Sequence, residues 1–261
     1  RWTLAEWLGE MYGQFKGYFE SHERIATHAV DTKSNWNLGV NSFNEGYHTL
    51  YIHRNTVPDY QGGKSNPERH RPFMQMMPLH FRYSAPANPD HRPTPAEELA
   101  LRYGRPMLPA SVLDGQPNHP PGVNPSRTKL WLFDVIHFFP NMVWLNGHHW
   151  HIEMWFWPLS HERTWIEQQF WAYKAKTPGE RISQEVFRTR GREVLREDPA
   201  DLGRQVEVVP HRAEVEEASL RVGGAGEGDL LPRREPDAFR RESSGDAEHA
   251  VFVGVRLAVE V

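Results

Sequence analysis

The run Gly147-His148-His149-Trp150-His151-Ile152-Glu153-Met154-Trp155-Phe156-Trp157 decides the fold class. It has strand length, and its side chains alternate along an extended backbone. His149, His151, Glu153, Trp155 and Trp157 point one way; Trp150, Ile152, Met154 and Phe156 point the other. Neither face is purely polar, so both are expected to be covered, or one to line a cavity. The flanking runs Leu130–Trp144 and Arg163–Tyr173 share this aromatic texture. Pro140-Asn141, Asn146-Gly147 and Ser160-His161-Glu162 punctuate them, and Asn-Gly between apolar runs signals a two-residue hairpin. The three runs predict a three-stranded antiparallel meander, followed by a final helix from about Pro178 to Asp198.

Outward from this core the texture changes. Leu4, Trp7, Leu8, Met11, Tyr12 and Phe15 stand at helical spacing and predict one or two short amphipathic helices within residues 4–28. Ser34-Asn35-Trp36 opens a second helical stretch, read through about His53. From Val57 to Pro125 the chain holds fourteen of its 21 prolines, with Gly62-Gly63 and Pro120-Pro121-Gly122 among them. This reads as a long solvated excursion with one short helix near Pro95–Tyr103. A lid or entrance loop is favoured over plain disorder, because so long a loop in a compact domain is usually one or the other.

After Asp198 the alphabet narrows. Residues 199–261 contain Phe239 and Phe252 as their only aromatics and no Lys, Ile, Asn, Met, Thr, Trp or Tyr. This resembles a weakly folded tail, or a GC-rich coding segment read out of frame. Residues 1–198 are therefore expected to form one domain and 199–261 a divergent, poorly ordered tail. Only Ala250–Val261, with alternating valines, looks able to form a strand.

Composition excludes several functions. The chain has 261 residues, 30 Lys+Arg and 34 Asp+Glu, hence a formal charge of −4. That balance leaves no basic footprint for nucleic acid and no polybasic membrane anchor. No apolar run approaches the roughly 20 residues of a membrane helix, and the first residues lack a signal-peptide core. A cytoplasmic protein is the expectation. The absence of cysteine removes disulfides, thiolate catalysis and protein-ligated iron–sulfur clusters from this chain. Any metal must be held by histidine and carboxylate. Fifteen histidines are available for it. Without an initiator Met, the chain also reads as a piece of something longer.

The informative stretch is Ser34 to His53, SNWNLGVNSFNEGYHTLYIH. It sets His48 and His53 five residues apart, with Glu45 and Asn41 before them. Five residues of straight helix turn about 500°, leaving the two rings some 140° apart. They can converge on one metal only if the helix ends or distorts, which Gly46 and the residues after Tyr47 make credible. By spacing alone, two ordinary histidines are the commoner outcome.

The surrounding register adds to this. Asn35-Trp36-Asn37, Asn41, Glu45, Tyr47-His48 and His53 resemble the catalytic-domain signature of the Rieske non-haem iron aromatic ring-hydroxylating oxygenases, large (alpha) subunit. The resemblance implies His48 and His53 as ligands of a mononuclear Fe(II), Glu45 as the carboxylate relaying electrons, and Asn41 as a pocket amide. Many relatives have Asp at the position of Glu45. Two imidazoles and one carboxylate leave open positions for O2 and substrate, which is what that chemistry needs. The third ligand is expected on the final helix at Asp198, within Leu195-Arg196-Glu197-Asp198, with Glu197 and Asp201 as fallbacks. The family's Glu about five residues beyond is Gly203 here, so the register fails at the composition break.

The resemblance covers about residues 30–198. It implies an α+β helix-grip (Bet v1/START-like) domain, a curved antiparallel sheet over a long helix with an apolar pocket beside the iron. Trp150, Met154, Phe156 and Phe170 are candidates for core or pocket wall, and His148, His149 and His151 for at most a pocket-lining role. The implied activity is NAD(P)H-dependent hydroxylation of an aromatic or other apolar substrate with O2. A [2Fe–2S] centre would lie in a missing Rieske domain or a partner, reached through a ferredoxin or reductase. A homotrimer or an alpha-beta oligomer is the implied assembly. The rival expectation is a metal-free helix-grip module that encloses a hydrophobic ligand.

Overall fold

The computed structural model describes residues 2–57, 59–70, 72–105, 107, 119–200 and 209–210. The expectations for Asp201, Gly203 and the strand at 250–261 lie outside the described residues.

Strands β1 (His22–Thr32), β2 (Phe73–Met76), β3 (Phe81–Pro86), β4 (Trp131–Phe138), β5 (Met142–Asn146), β6 (Trp150–Ser160) and β7 (Arg163–Tyr173) lie in the order β2-β3-β4-β5-β6-β7-β1. Every pairing among them is antiparallel. Helices α1 (Leu4–Leu8), α2 (Trp36–Ser42) and α3 (Pro95–Tyr103) are short, and α4 (Pro178–Ala200) is long. The architecture is the α+β antiparallel sheet with a long helix that the sequence implied.

The centre of the sheet follows the alternation. Trp150, Ile152, Met154 and Phe156 are buried on one face of β6, and His151, Glu153 and Trp155 are buried on the other. Both faces are buried and the Trp150–Met154 face also lines a cavity, the two outcomes that the mixed polarity allowed. Fully burying one such aromatic side chain contributes on the order of 2–3 kcal/mol. Helix α4 closes over the inner face by a small residue. A Cβ on Gly191 would lie 2.2 Å from Phe170 Cε1, so only glycine lets the helix backbone come this near β7. Gly39 does the same for α2, where a Cβ would meet Phe156 at 2.8 Å.

Four sequence expectations are corrected. Leu130–Trp144 is a hairpin, β4 and β5, turning at Phe139-Pro140-Asn141, so the meander has four strands. The β5–β6 loop is longer than two residues: Gly147 N–H donates to Trp150 C=O at 2.9 Å across it. Residues 22–28 belong to strand β1, because β7 supplies their hydrogen-bonding partner, His22 facing Tyr173 and Thr32 facing Thr164. Finally, the proline-rich excursion contains β2 and β3, and Phe81 to Ala85 are all buried there. Its short helix stands where expected, begun by a Thr94/Glu97 capping box.

Candidate metal centre

The stretch read as one helix from Ser34 to His53 breaks in two. Asn35 Oδ1 caps α2 by accepting from Asn37 N–H at 2.9 Å, and the helix ends at Ser42. A separate 3₁₀ turn runs over His48–Leu50. The break removes the angular obstacle of a straight helix. The His48 and His53 rings stand 5.3 Å apart, centroid to centroid, at 75°.

The final helix brings the carboxylates. Phe187, Arg190, Gly191, Val194 and Asp198 all face one cavity, and they recur at the three- and four-residue spacing of a helical face. One ligand atom each from His48, His53 and Asp198 lies within 4.8 Å of the others. His53 Nε2 and Asp198 Oδ1 are 3.0 Å apart. Two donors at about 2.1 Å from a shared ion, at right angles, would be separated by about 3.0 Å, so this pair fits a first-row metal. The donor set, two imidazoles and a carboxylate, is the one suited to iron with open positions.

Each imidazole is also held from behind. His48 Nδ1 bonds to Glu45 Oε1, and Glu45 Oε2 accepts from the backbone N–H of Tyr47 and of His48, the latter at 3.2 Å. His53 Nδ1 meets Glu197 Oε2 at 3.0 Å, and that same oxygen accepts from Thr56 Oγ1 at 2.5 Å. Carboxylates behind ligand histidines set the tautomer and the ring direction. Burial alone would depress the His53 pKa, but hydrogen bonding and charge from Asp198 and then Glu197 outweigh it, and the net direction is upward.

Asn41 is not brought to the cavity. It is exposed, and its Oδ1 accepts from Asn44 Nδ2 at 3.0 Å. His148, His149 and His151 do not line the cavity either, whereas Trp150 and Met154 do. Phe156 and Phe170 are buried in the core cluster that surrounds it.

The cavity has a volume of about 110 Å³ and lies between α4 and the inner face of β3–β7. Its wall includes Phe133, Val135, Leu145, Trp150, Ile152 and Met154, with His48, His53 and Asp198 also among its lining residues. Several polar wall groups are already engaged. Tyr60 Oη and Arg190 Nη1 both donate to the buried Glu97 carboxylate, and Tyr83 Oη donates to Glu45 C=O at 3.2 Å. Gln168, Thr56 and the supporting position of Glu197 were not assigned from sequence. The polar Gln168 between the inward-facing Ile166 and Phe170 is the signal that could have found the first.

The sheet, the helix across it and the cavity between them define a helix-grip domain. The family model of the ring hydroxylating alpha subunit (catalytic domain) matches residues 19–235, and the chain belongs to that family. It is similar to naphthalene 1,2-dioxygenase from Rhodococcus sp. bound to indole, at 15% identity and a TM-score of 0.45, over 73% of this chain and 48% of that one. It is also similar to a naphthalene 1,2-dioxygenase variant bound to phenanthrene, at 15% identity and a TM-score of 0.48, over 77% and 47%. A quaternary ammonium Rieske monooxygenase in complex with an inhibitor gives 12% and 0.43, over 69% and 37%. The chain spans less than half the length of these structures. No curated protein sequence matches it. No helix among the described residues is long and apolar enough to cross a membrane.

Proposed function

We propose that this chain holds one Fe(II) through His48, His53 and Asp198 and hydroxylates an apolar, typically aromatic, substrate with O2 in the adjoining cavity. The convergence of these three donors from the 3₁₀ turn, the loop after it and the far end of α4 carries the reading. Iron held by such a set supplies oxygen activation at its open positions.

The chain's own residues do the rest. Glu45 holds one nitrogen of His48 and Glu197 one nitrogen of His53, which leaves the other nitrogen of each ring for the ion. The apolar wall excludes water and orients a hydrocarbon face. The Glu45 side chain is 34% exposed and so reaches the surface beside His48. It is the group through which an electron would arrive from a [2Fe–2S] centre outside this chain. NAD(P)H would be the source, through a ferredoxin or reductase, with a homotrimer or alpha-beta oligomer as the assembly. Residues 1–198 form the catalytic domain in this reading.

One observation favours the metal-free rival, a module that merely encloses a hydrophobic ligand. Both nitrogens of His53 already meet carboxylates, so a protonated ring would be satisfied without an ion. Anaerobic titration of the full chain with Fe(II) separates the two. The expected result is one equivalent bound per folded chain, lost in His48→Ala. A folded chain that takes up no Fe(II) establishes the rival.

A further inference from the structure

The inner face of the sheet is apolar around the cavity, with one break on β7. Gln168 stands between Ile166 and Phe170 at the same strand parity, lines the cavity and is only 5% exposed. Its Nε2 lies 3.3 Å from Met154 Sδ, while Oε1 has no hydrogen-bond partner. A thioether sulfur accepts weakly and cannot donate, so the amide N–H₂ belongs on the sulfur side and the carbonyl oxygen is left over. Leaving such an acceptor buried and unmade costs about 1–3 kcal/mol. The other polar side chains deep in this wall do not share that state: Tyr60 and Arg190 are committed to Glu97, and Trp150 Nε1 donates to Met107 C=O at 2.8 Å.

We infer that Gln168 is a substrate-orienting residue, and that the cavity takes an apolar ring compound carrying a hydrogen-bond donor, an N–H or O–H, which Gln168 Oε1 accepts. This rests on the cavity being the substrate site of the proposed function and narrows its substrate class. An apolar pocket with one placed polar group is how such sites fix orientation. Here the bond would determine which edge of the ring is offered to His48, His53 and Asp198. Donor-free hydrocarbons of the same shape leave the acceptor unmade and bind less well.

One competing arrangement comes from the next strand. His28 lies opposite Gln168 in the β1–β7 register, and its Nε2 is likewise buried without a partner. A small shift could pair the two groups and make Gln168 purely structural.

Binding to the full chain decides between these, read by tryptophan fluorescence with and without Fe(II) under anaerobic conditions. The probes are indole, a donor without an acceptor on nitrogen, the isosteric hydrocarbon indene, and benzofuran, which has no donor. The expected result is about 5- to 10-fold tighter binding of indole than of indene or benzofuran. Gln168→Met, which keeps the volume but removes the acceptor, should bring that ratio to about one while iron uptake persists. If Gln168→Met does not fold, Gln168→Asn withdraws the amide by one methylene and the ratio must fall. Equal binding of the three probes, binding of none, or an unchanged ratio in the variant overturns the inference. A variant that loses stability but keeps the ratio assigns Gln168 to His28. Indole selectivity in a chain that binds no Fe(II) sustains the inference and sinks the oxygenase reading instead.

Discussion

Two groups of histidines in this chain differ in everything except residue type. His48 and His53 look onto the cavity with Glu45, Glu197 and Asp198 around them. His22, His119, His148, His149 and His151 gather elsewhere, among Tyr18, Phe19, Trp131 and Trp171. There the nitrogens meet one another, His22 with His151 at 2.9 Å and His119 with His148 at 3.1 Å. Burial holds His22, His148 and His151 down to about 3, and His119 and His149 to about 4, so they stay neutral. Among the described residues only His48, His53 and Asp198 meet the geometry of a three-ligand group. Histidine number is therefore a poor locator of a candidate metal site. Carboxylates converging with the rings are a better one.

The largest expected effect breaks the comparison at its root. His53→Ala should abolish stoichiometric Fe(II) binding, because it removes the ring that joins the 3₁₀ turn to α4. His151→Phe should leave iron binding unchanged within about twofold, although it strands the His22 nitrogen at a cost of about 1–3 kcal/mol in stability. Iron analysis of the two purified variants checks both halves. Iron lost equally from each would erase the distinction.

Acid should act on the second group first. A histidine depressed in the folded state binds its proton more readily once unfolded, so its contribution is complete above about 6.5 and is lost as pH falls toward the folded value. His28, held at about 4, adds to the five already named. Arg105 and Arg127 oppose protonation in the cluster, as do Arg188 and Arg192 at His28. Glu180 by His149 works the other way. Buried Asp134, raised to about 6, has the opposite slope, with stability declining as pH rises through 4 to 6. His53, whose pKa is raised, shares the slope of Asp134, and six histidines outweigh these two groups. Tm should fall on the order of 10 °C between pH 7.5 and pH 5, and a flat or inverted profile in a scan of the full chain would refute the neutral-cluster account.

The legibility of the molecule follows the same divide between local pattern and distant partner. The β6 alternation and the α4 helix are local, and both can be read directly. The capping of α2 by Asn35 is local too, but its end at Ser42 is not, which is why one helix to His53 seemed continuous. β1 is hidden because Ala26 through Val30 are all buried, leaving no period of two. Its partner β7 lies far along the chain. The candidate site could be named as residue types, His48 and His53 from the register of residues 35–53 and Asp198 from its place at the end of the final helix. One ligand atom from each of these three lies within 4.8 Å of the others. The supporting roles could not be named, since Glu197 and Asp198 are neighbours in sequence. They separate only when the helix turns one of them toward the cavity.

The division of labour between those two carboxylates sharpens the comparison further. Glu197→Gln keeps the shape but weakens the acceptor behind His53, and should lower Fe(II) affinity by roughly 10- to 100-fold without abolishing binding. Chelator competition against the wild type measures this. Complete loss would make Glu197 a ligand, with Asp198 demoted.

Thr56 should give the smallest effect and the most discriminating one. Its hydroxyl donates at 2.5 Å to the same Glu197 oxygen that meets His53 at 3.0 Å. Thr56→Val removes that tether while both partners of the His53 contact remain, so the expected loss in Fe(II) affinity is only about threefold. If Thr56 acts through Glu197, the two effects cannot add. In a Glu197→Ala background there is no carboxylate left to hold, and Thr56→Val should then change the affinity by less than the experimental error. Groups in one hydrogen-bonded network depart from additivity in this way, whereas independent sites do not. A full threefold loss from Thr56→Val in the Glu197→Ala background would mean that Thr56 supports the centre by packing alone. The chain of positioning would then stop at Glu197.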